Sequence, residues 1–499
     1  MQDGLPLAAI DLGSNSFRLE IGRFDKDGRL QRIQYLKETV RLGGGLDASG
    51  RISTEAMQRG WDCLARFGER IGDFSSRQVR AVATQTLREA TNRAEFIERG
   101  AQLLGFPIDV VSGPEEARLI YQGVAHLLPP SDERRLVVDV GGRSTELILG
   151  LGLASKSVAS FPVGSVAWSQ RYFPGGRFTA DAFAQAEVAA QAVLDEALQV
   201  FSRGAWDVAY GSSGTAGAVG SLGAMLGMKP GTITRKGLVA LRDMLLQAKT
   251  ADALRIEGMK EDRRPVIGGG VAVLRAVFEL LDIDEMQVAQ GALRQGALYD
   301  LLDRDHPGTD LRAATVDALA RRFQVDEAQA ARVSRTANTL LQPLVHDAHT
   351  PQAERYARKL RWAARLHEIG CLVAHDDAHK HGAYVLAHAD APGFSVPELE
   401  RLSTLVLAQR GKLRKVEAPL VDDGFARQAL CLRLAVALCH ARKDPDLSDL
   451  KLSAAKGGDG WTLSWTGAWE KSHPQSAYLL REEAQAWQKT GRSLQLVTA

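Results

Sequence analysis

A chain of 499 residues exceeds what one hydrophobic core supports, and 45% hydrophobic with 24% charged residues describes globular domains, not a disordered or fibrous chain. Lys+Arg 62 against Asp+Glu 60 leaves a net charge of +2, so bulk charge argues against general nucleic-acid binding, and a polyanion would need a local basic channel. Cys63, Cys371, Cys431 and Cys439 form neither a CxxC pair nor a dense framework and read as buried thiols of a reducing compartment. With no leader-like apolar core at the N-terminus and no run of ~20 apolar residues, a cytoplasmic protein without a membrane span is expected.

In chain order, Ala8-Ala-Ile-Asp-Leu-Gly-Ser-Asn-Ser-Phe-Arg-Leu-Glu-Ile-Gly22 reads as two strands around a Gly/Ser turn. Ile52 to Ile71 has helical periodicity, Gln78 to Thr84 reads as a strand, Ala94 to Leu104 as a helix and Ile108 to Val111 as a short strand. Ser112-Gly-Pro-Glu115 then opens a helix through a capping-box pattern, with Glu115 in the capping role. The first hairpin returns as Leu136-Val-Val-Asp-Val-Gly-Gly-Arg-Ser-Thr-Glu-Leu-Ile-Leu-Gly150, with Asp11 matching Asp139 and Gly22 matching Gly150 without a gap. The chain therefore looks like two related α/β halves. A helix over Ala180 to Phe201, a strand over Trp206 to Tyr210 and a glycine-rich turn follow. From about Leu311 to Arg442 the pattern is almost wholly helical, and the tail from about Leu450 suggests strands at Gly460 to Trp465 and near Leu494, around one helix.

A phosphate-transfer site needs donors for anionic oxygens, carboxylates for a divalent cation and a base for the attacking water. The second hairpin offers Gly141 and Gly142 for close backbone approach, Ser144 and Thr145 as hydroxyl donors, and Asp139 and Glu146 as metal carboxylates. The first offers Ser14 and Asn15 to the same phosphate, with Asp11 reaching the metal through water. Either loop alone also reads as a tight turn with a capping aspartate; the gapless duplication favours the phosphate reading.

These two hairpins, together with Ser112-Gly-Pro-Glu-Glu-Ala-Arg-Leu-Ile-Tyr-Gln-Gly123, Ala83-Thr-Gln-Thr-Leu-Arg-Glu-Ala90, Tyr210-Gly-Ser-Ser-Gly-Thr215 and Gly291-Ala-Leu-Arg294, resemble the exopolyphosphatase and guanosine pentaphosphate phosphohydrolase (Ppx/GppA) family over nearly the whole chain. The resemblance implies an α/β fold of two ribonuclease-H-like domains of the actin, sugar-kinase and heat-shock-ATPase superfamily, then an all-α HD-like domain and a small α+β domain. The corresponding segments are 1–124, 125–304, 305–445 and 446–499. It also implies Glu116 as the general base, although by sequence alone Glu116 reads as a solvated first-turn acid at the helix dipole. Arg88 is implied as a substrate-phosphate ligand, with a surface salt bridge as the plainer alternative. Gly214 and Thr215 are candidate phosphate contacts in the turn where nucleotide-binding relatives hold adenosine; close helix–strand packing is preferred there over nucleotide binding.

Arg143 departs from the small residue usual in this family, and is expected either to add a positive charge at the phosphate or to obstruct it. Gln295 replaces a common acid, and Phe161-Pro-Val-Gly-Ser-Val166 keeps the pattern at Gly164 and Val166. Leu366-His-Glu-Ile-Gly370 resembles the HD metal-phosphohydrolase motif with Glu368 in place of Asp, so this module is expected to be non-catalytic. Lys380, His381, Arg410, Lys412, Arg414 and Lys415 read equally as a polyphosphate track or a solvated face. The activity implied is exopolyphosphatase, with Mg²⁺ as cofactor and Mn²⁺ as a second option, inorganic polyphosphate or guanosine pentaphosphate as substrate, and a homodimer as the assembly. The alternative is guanosine pentaphosphate 5′-phosphohydrolase activity, alone or alongside; a same-fold kinase or ATPase and a phosphate-ligand sensor stand further off.

Overall fold

The computed structural model describes residues 4–26, 28–254, 259, 261–304, 310–345, 350–455 and 460–498, with the side chains of 351 and 352 left out. The chain separates into two compact units, Met1–Asp310 and Leu311–Ala499.

The first unit holds two sheets. Strands β1 (Leu7–Leu12), β2 (Phe17–Phe24), β3 (Leu30–Glu38), β4 (Val79–Ala83) and β5 (Ile108–Val110) form one, in the order β3-β2-β1-β4-β5. Strands β6 (Arg134–Val140), β7 (Thr145–Leu151), β8 (Ala154–Phe161), β9 (Val208–Ser212), β10 (Thr232–Thr234) and β11 (Glu285–Val288) form the other, in the order β10-β11-β9-β6-β7-β8. The duplication is visible in register: Leu12 pairs with Phe17 and Val140 with Thr145, each across a four-residue tip. One pair further down, Asp11 faces Arg18 and Asp139 faces Glu146.

Helices cover these sheets because their apolar faces are buried in the expected register. Thr54–Ile71 packs Trp61, Leu64 and Phe67 into the first core, with Ser53 accepting the Ala56 amide as its cap. The helix expected over Ala180 to Phe201 is broken into Ala180–Leu194 and Leu198–Phe201 by a tightened turn at Asp195–Ala197. Helix Gly113–Ala125 starts where Ser112 accepts the Glu115 amide at 3.2 Å. The Glu115 carboxylate takes a different role from the capping one: it is buried and held by Arg118 at 2.8 Å on both oxygens.

Helix Leu293–Arg304, at the far end of the second segment, returns to the first sheet. Its Gln295 donates to buried Glu20 of β2 at 2.6 Å, and its Asp300 pairs with Arg118 at 2.5 Å and with fully buried Arg80 of β4. It crosses helix Gly113–Ala125 so closely that a Cβ on Gly123 or Gly296 would overlap the other helix's backbone. Backbone contact of that kind needs glycine. A buried carboxylate as dense in cations as Asp300 is tolerated only because its partners are themselves desolvated and hydrogen-bonded.

The second unit carries helices from Leu311–Arg322 to Pro474–Trp487 and a three-stranded sheet of β12 (Lys451–Ala454), β13 (Gly460–Trp465) and β14 (Ser493–Thr498). The segments expected separately at 305–445 and 446–499 share one continuous core, running from Val316 through Leu360 and Leu434 to Trp465 and Leu494. Trp461 and Trp487, edge to face with centroids 5.1 Å apart, tie sheet to helix. The four cysteines are free thiols, with Cys371 half-buried and the others buried. Among the described residues no helix is long and apolar enough to cross a membrane.

Candidate active site

The two hairpin tips meet. A Cβ on Gly142 would lie 3.0 Å from that of Ser14, so a side chain there would press on the first tip. The second tip is fixed from below: Gly141 N–H donates to Ser144 O at 2.9 Å, and the amides of Ser165 and Val166 donate to the carbonyls of Gly141 and Gly142 at 2.9 and 2.8 Å. Gly164 is required here because a side chain would run into the Arg143 backbone. The first tip is held by Gly43 N–H donating to Ser14 O at 2.8 Å and by the Thr86 hydroxyl donating to Ser14 Oγ at 2.8 Å.

Between the tips lies a cavity of about 80 Å³, lined among others by Asp11, Ser14, Asn15, Glu116, Asp139, Gly141, Gly142, Ser144, Gly214 and Thr215. Asn15 Nδ2 and Ser16 Oγ are buried there without a partner. Unsatisfied buried polar groups are costly, and here two of them stand beside the glycines of the second tip.

Thr145 differs from expectation. Its hydroxyl is fully buried and donates to Val163 O at 2.6 Å, so it braces the loop instead of facing the cavity. Arg143 neither lines the cavity nor obstructs it; its guanidinium turns to Glu89, with Nε at 2.9 Å and Nη2 at 2.8 Å from Oε2. Arg88 donates to Glu116 Oε2 at 2.9 Å, to Val111 O at 2.7 Å and to Gln85 Oε1 at 3.1 Å, and likewise does not line the cavity.

The carboxylates sit in a low-dielectric setting. Burial pushes Glu116 up to about 7 against the pull of Arg88, with Asp139 and Asp11 adding to the rise. Burial also lifts Asp139 to about 6, opposed by a hydrogen bond from Ser212. Glu146 is raised well above its ordinary value by burial, then by Glu116 and Asp139. Ser160 donates to Glu146 Oε1 at 2.8 Å, but Glu146 Oε2 is buried with no partner. Asp11 is instead ion-paired to Arg18 at 3.1 Å and Arg294 at 3.5 Å. Among the described residues no group of three or more His, Cys, Asp or Glu side chains is gathered to hold a metal alone. Glu146 does not line the cavity, but its orphaned oxygen and its closeness to Asp139 fit a hard cation of the kind that takes one or two carboxylates and completes its shell with substrate phosphates and water.

A second cavity, of about 370 Å³, shares Arg18, Ser213, Gly214, Arg263 and Ala292 with the first. Lys37 and Arg294 add cations to its rim, while Leu222, Met225 and Met259 give it an apolar wall. Lys37 pairs with Asp262 at 2.5 Å, and Arg294 lies over the Tyr35 ring at 5.1 Å. Arg263 rests on Gly214, where a Cβ would overlap the guanidinium. The turn that reads as a packing device is thus also the shared wall of a ligand-sized pocket. Ser213, at φ 76, holds the turn in the left-handed region while donating to Val140 O at 2.9 Å.

Arg18, Arg263 and Ser213 were not singled out by sequence reasoning. The repeat itself exposes Arg18, since it occupies the Glu146 position of the first copy; Arg263 sits in an ordinary charged run, and nothing in the sequence marks Ser213. In the second unit, Glu368 pairs with Arg442 at 2.6 Å and His367 Nδ1 lies 2.8 Å from Ala364 O.

Paired α/β sheets with matching hairpins facing a shared cavity, followed by a helical C-terminal unit, define an actin-like fold. Part of it is shared by solved structures such as an exopolyphosphatase from Cytophaga hutchinsonii (25% identity, TM-score 0.54, covering 60% of this chain and 98% of that one) and an Aquifex aeolicus Ppx/GppA family member (25%, 0.52, 60% and 99%). The chain matches the Ppx/GppA phosphatase family over residues 23–305 and domain III of Ppx/GppA phosphatases over 311–484. It is 40% identical over 482 residues to a guanosine-5′-triphosphate,3′-diphosphate pyrophosphatase of Vibrio cholerae serotype O1, spanning 96% of this chain and 95% of the relative. It is 38% identical over 480 residues to the protein of that name from Vibrio atlanticus, with the same shares. The chain belongs to the Ppx/GppA phosphatase family and is a hydrolase of phosphoanhydride bonds.

Proposed function

We propose that this protein removes the terminal 5′-phosphate of guanosine 5′-triphosphate,3′-diphosphate, releasing orthophosphate and leaving guanosine tetraphosphate. The observation that carries this reading over inorganic polyphosphate is the 370 Å³ pocket sharing a wall with the phosphate cradle. An apolar wall beside four cations suits a nucleoside with a second anionic group, whereas a bare phosphate chain has no use for Leu222, Met225 and Met259. The name of the Vibrio relatives points the same way.

In the mechanism, Ser14, Asn15, Ser144 and the backbone at Gly142 receive the terminal phosphoryl group, and Arg18 and Arg263 offset charge on the remainder. Glu116 takes a proton from water as the water oxygen bonds to the terminal phosphorus, and the bridging P–O bond breaks with its electrons passing to the oxygen retained by the guanosine tetraphosphate. Arg88 holds the Glu116 carboxylate in its orientation. Asp139 and Glu146 would hold Mg²⁺ or Mn²⁺, with Asp11 acting through water; a cation there neutralises charge on the phosphate oxygens. Catalysis is then mostly positioning and electrostatics.

The test is phosphate release from guanosine pentaphosphate and from long-chain polyphosphate side by side, with divalent cation, for wild type and Glu116→Gln. Release from the nucleotide that drops by about 10²–10⁴ in the variant supports both substrate and base. Release confined to polyphosphate returns the substrate to the inorganic chain, and no release from either overturns the enzymatic reading.

A further inference from the structure

Four side chains connect the tip of the second hairpin to the base. Arg143 grips Glu89 Oε2 at 2.8 and 2.9 Å, Gln85 Nε2 donates to Glu89 Oε1 at 2.5 Å, Gln85 Oε1 accepts from Arg88 Nε at 3.1 Å, and Arg88 Nη1 donates to Glu116 Oε2 at 2.9 Å. The amide of Gln85 has one orientation that satisfies this run: its oxygen must face Arg88 and its nitrogen Glu89, since the reverse would set donor against donor. The run also crosses the cleft. Arg143 belongs to the β6–β7 loop of one sheet, whereas Glu89, Gln85, Arg88 and Glu116 belong to helices that follow strands of the other.

We propose that Arg143 is a positioning residue, which through Glu89, Gln85 and Arg88 makes the orientation of the Glu116 carboxylate depend on the two hairpin tips being together. When the tips meet, Arg143 fixes Glu89, Glu89 fixes the Gln85 amide, and Gln85 fixes the Arg88 fork that aims Glu116. When they part, the Arg143–Glu89 pair is lost together with the longer contact from Arg143 Nη1 to Gly43 O at 3.5 Å, because within the run it is the link that spans the sheets, and the remaining members regain rotamer freedom. The base is thereby aligned only in the closed cleft, where water other than the nucleophile is excluded. The inference rests on Glu116 as the base but holds for either substrate.

The test is steady-state kinetics of the full chain with guanosine pentaphosphate and with tripolyphosphate, for wild type, Arg143→Ala, Glu89→Gln, the double variant and Arg143→Lys. Each single neutralisation is expected to lower kcat about tenfold while KM moves less than about threefold, the effect of a misaligned base. The double variant is expected to be no worse than either single one, because both break the same link. Arg143→Lys should recover part of kcat. A raised KM at unchanged kcat in Arg143→Ala would show that Arg143 touches the phosphate, and effects that multiply in the double variant would show two unconnected roles; unchanged kinetics would show none. Any of the three overturns the proposal. Should Arg143→Ala fail to fold, the Glu89→Gln and Arg143→Lys pair carries the same comparison. An active wild type with a dead Glu116→Gln and flat Arg143 variants sinks this inference alone, while an active Glu116→Gln, or an inactive wild type, sinks the functional reading and this inference with it.

Discussion

Glu116, Asp139 and Glu146 each pay for burial by holding their protons more tightly, and this links pH to both activity and stability in opposite directions. As a base Glu116 must be unprotonated, so kcat/KM should fall as pH drops below about 7, the limb being read from a rate profile with subsaturating substrate. For stability the sign is reversed. The folded state holds protons that the unfolded chain, with glutamates near 4.5, has released. The contribution is therefore complete below about 4.5 and lost as pH climbs through 7. In metal-free protein the melting temperature should decline over that window, and divalent cation should flatten the decline. Glu146→Gln should raise the melting temperature of metal-free protein at pH 8 and abolish the further rise on adding Mg²⁺; an undiminished Mg²⁺ response would remove Glu146 from the ligand set. At this scale the sequence reading and the structure agree on placement at Ser14, Asn15, Asp139 and Ser144, which all line the cavity. It misled at Thr145 and Arg143, because direction of a side chain is decided by what lies across the loop: Val163 O for one and Glu89 for the other.

The elements that aim these residues are set by short-range rules with one long-range exception. The start of helix Gly113–Ala125 was readable from Ser112 and Pro114, and Ser112→Ala should cost about 1 kcal/mol in denaturant unfolding, as a lost N-cap does. Strand β3 gave little signal, since an edge strand with Gln31, Arg32, Gln34 and Lys37 need not alternate cleanly. The crossing of Gly113–Ala125 with Leu293–Arg304 joins residues some hundred and seventy positions apart, and no local pattern announces it. Gly296→Ala places a methyl group into the Leu119 carbonyl and should destabilise the first unit by about 1–3 kcal/mol, measured by urea unfolding. An unchanged midpoint would mean the helices separate freely, and the crossing would lose its part in fixing the helix that carries Glu116.

The molecule as a whole is two folding units with separate cores. The buried clusters of the first are drawn from Ala8 to Tyr299, and that of the second from Val316 to Leu494. A fragment beginning at Leu311 should therefore fold alone, with a cooperative thermal transition that reappears as one of two in calorimetry of the full chain. A fragment without a cooperative melt would contradict that independence. The two-lobed first unit could be anticipated from the repeat, but the merging of the small sheet into the helical core could not, because composition marks where a pattern changes and not where a core ends.

The duplicated hairpins carry opposite charges at one structurally equivalent place, Arg18 in the first and Glu146 in the second, each opposite an aspartate. That difference makes the cleft electrically lopsided: one wall is an acid–base pair that is already neutral, the other an acid–acid pair that is short of positive charge. An anionic substrate arriving between them meets a field with a direction, attracted along the arginine wall and turned back at the acidic one unless it brings a countercharge. An exchange of sign at one equivalent position thus gives two hairpins of the same backbone an opposite electrical character.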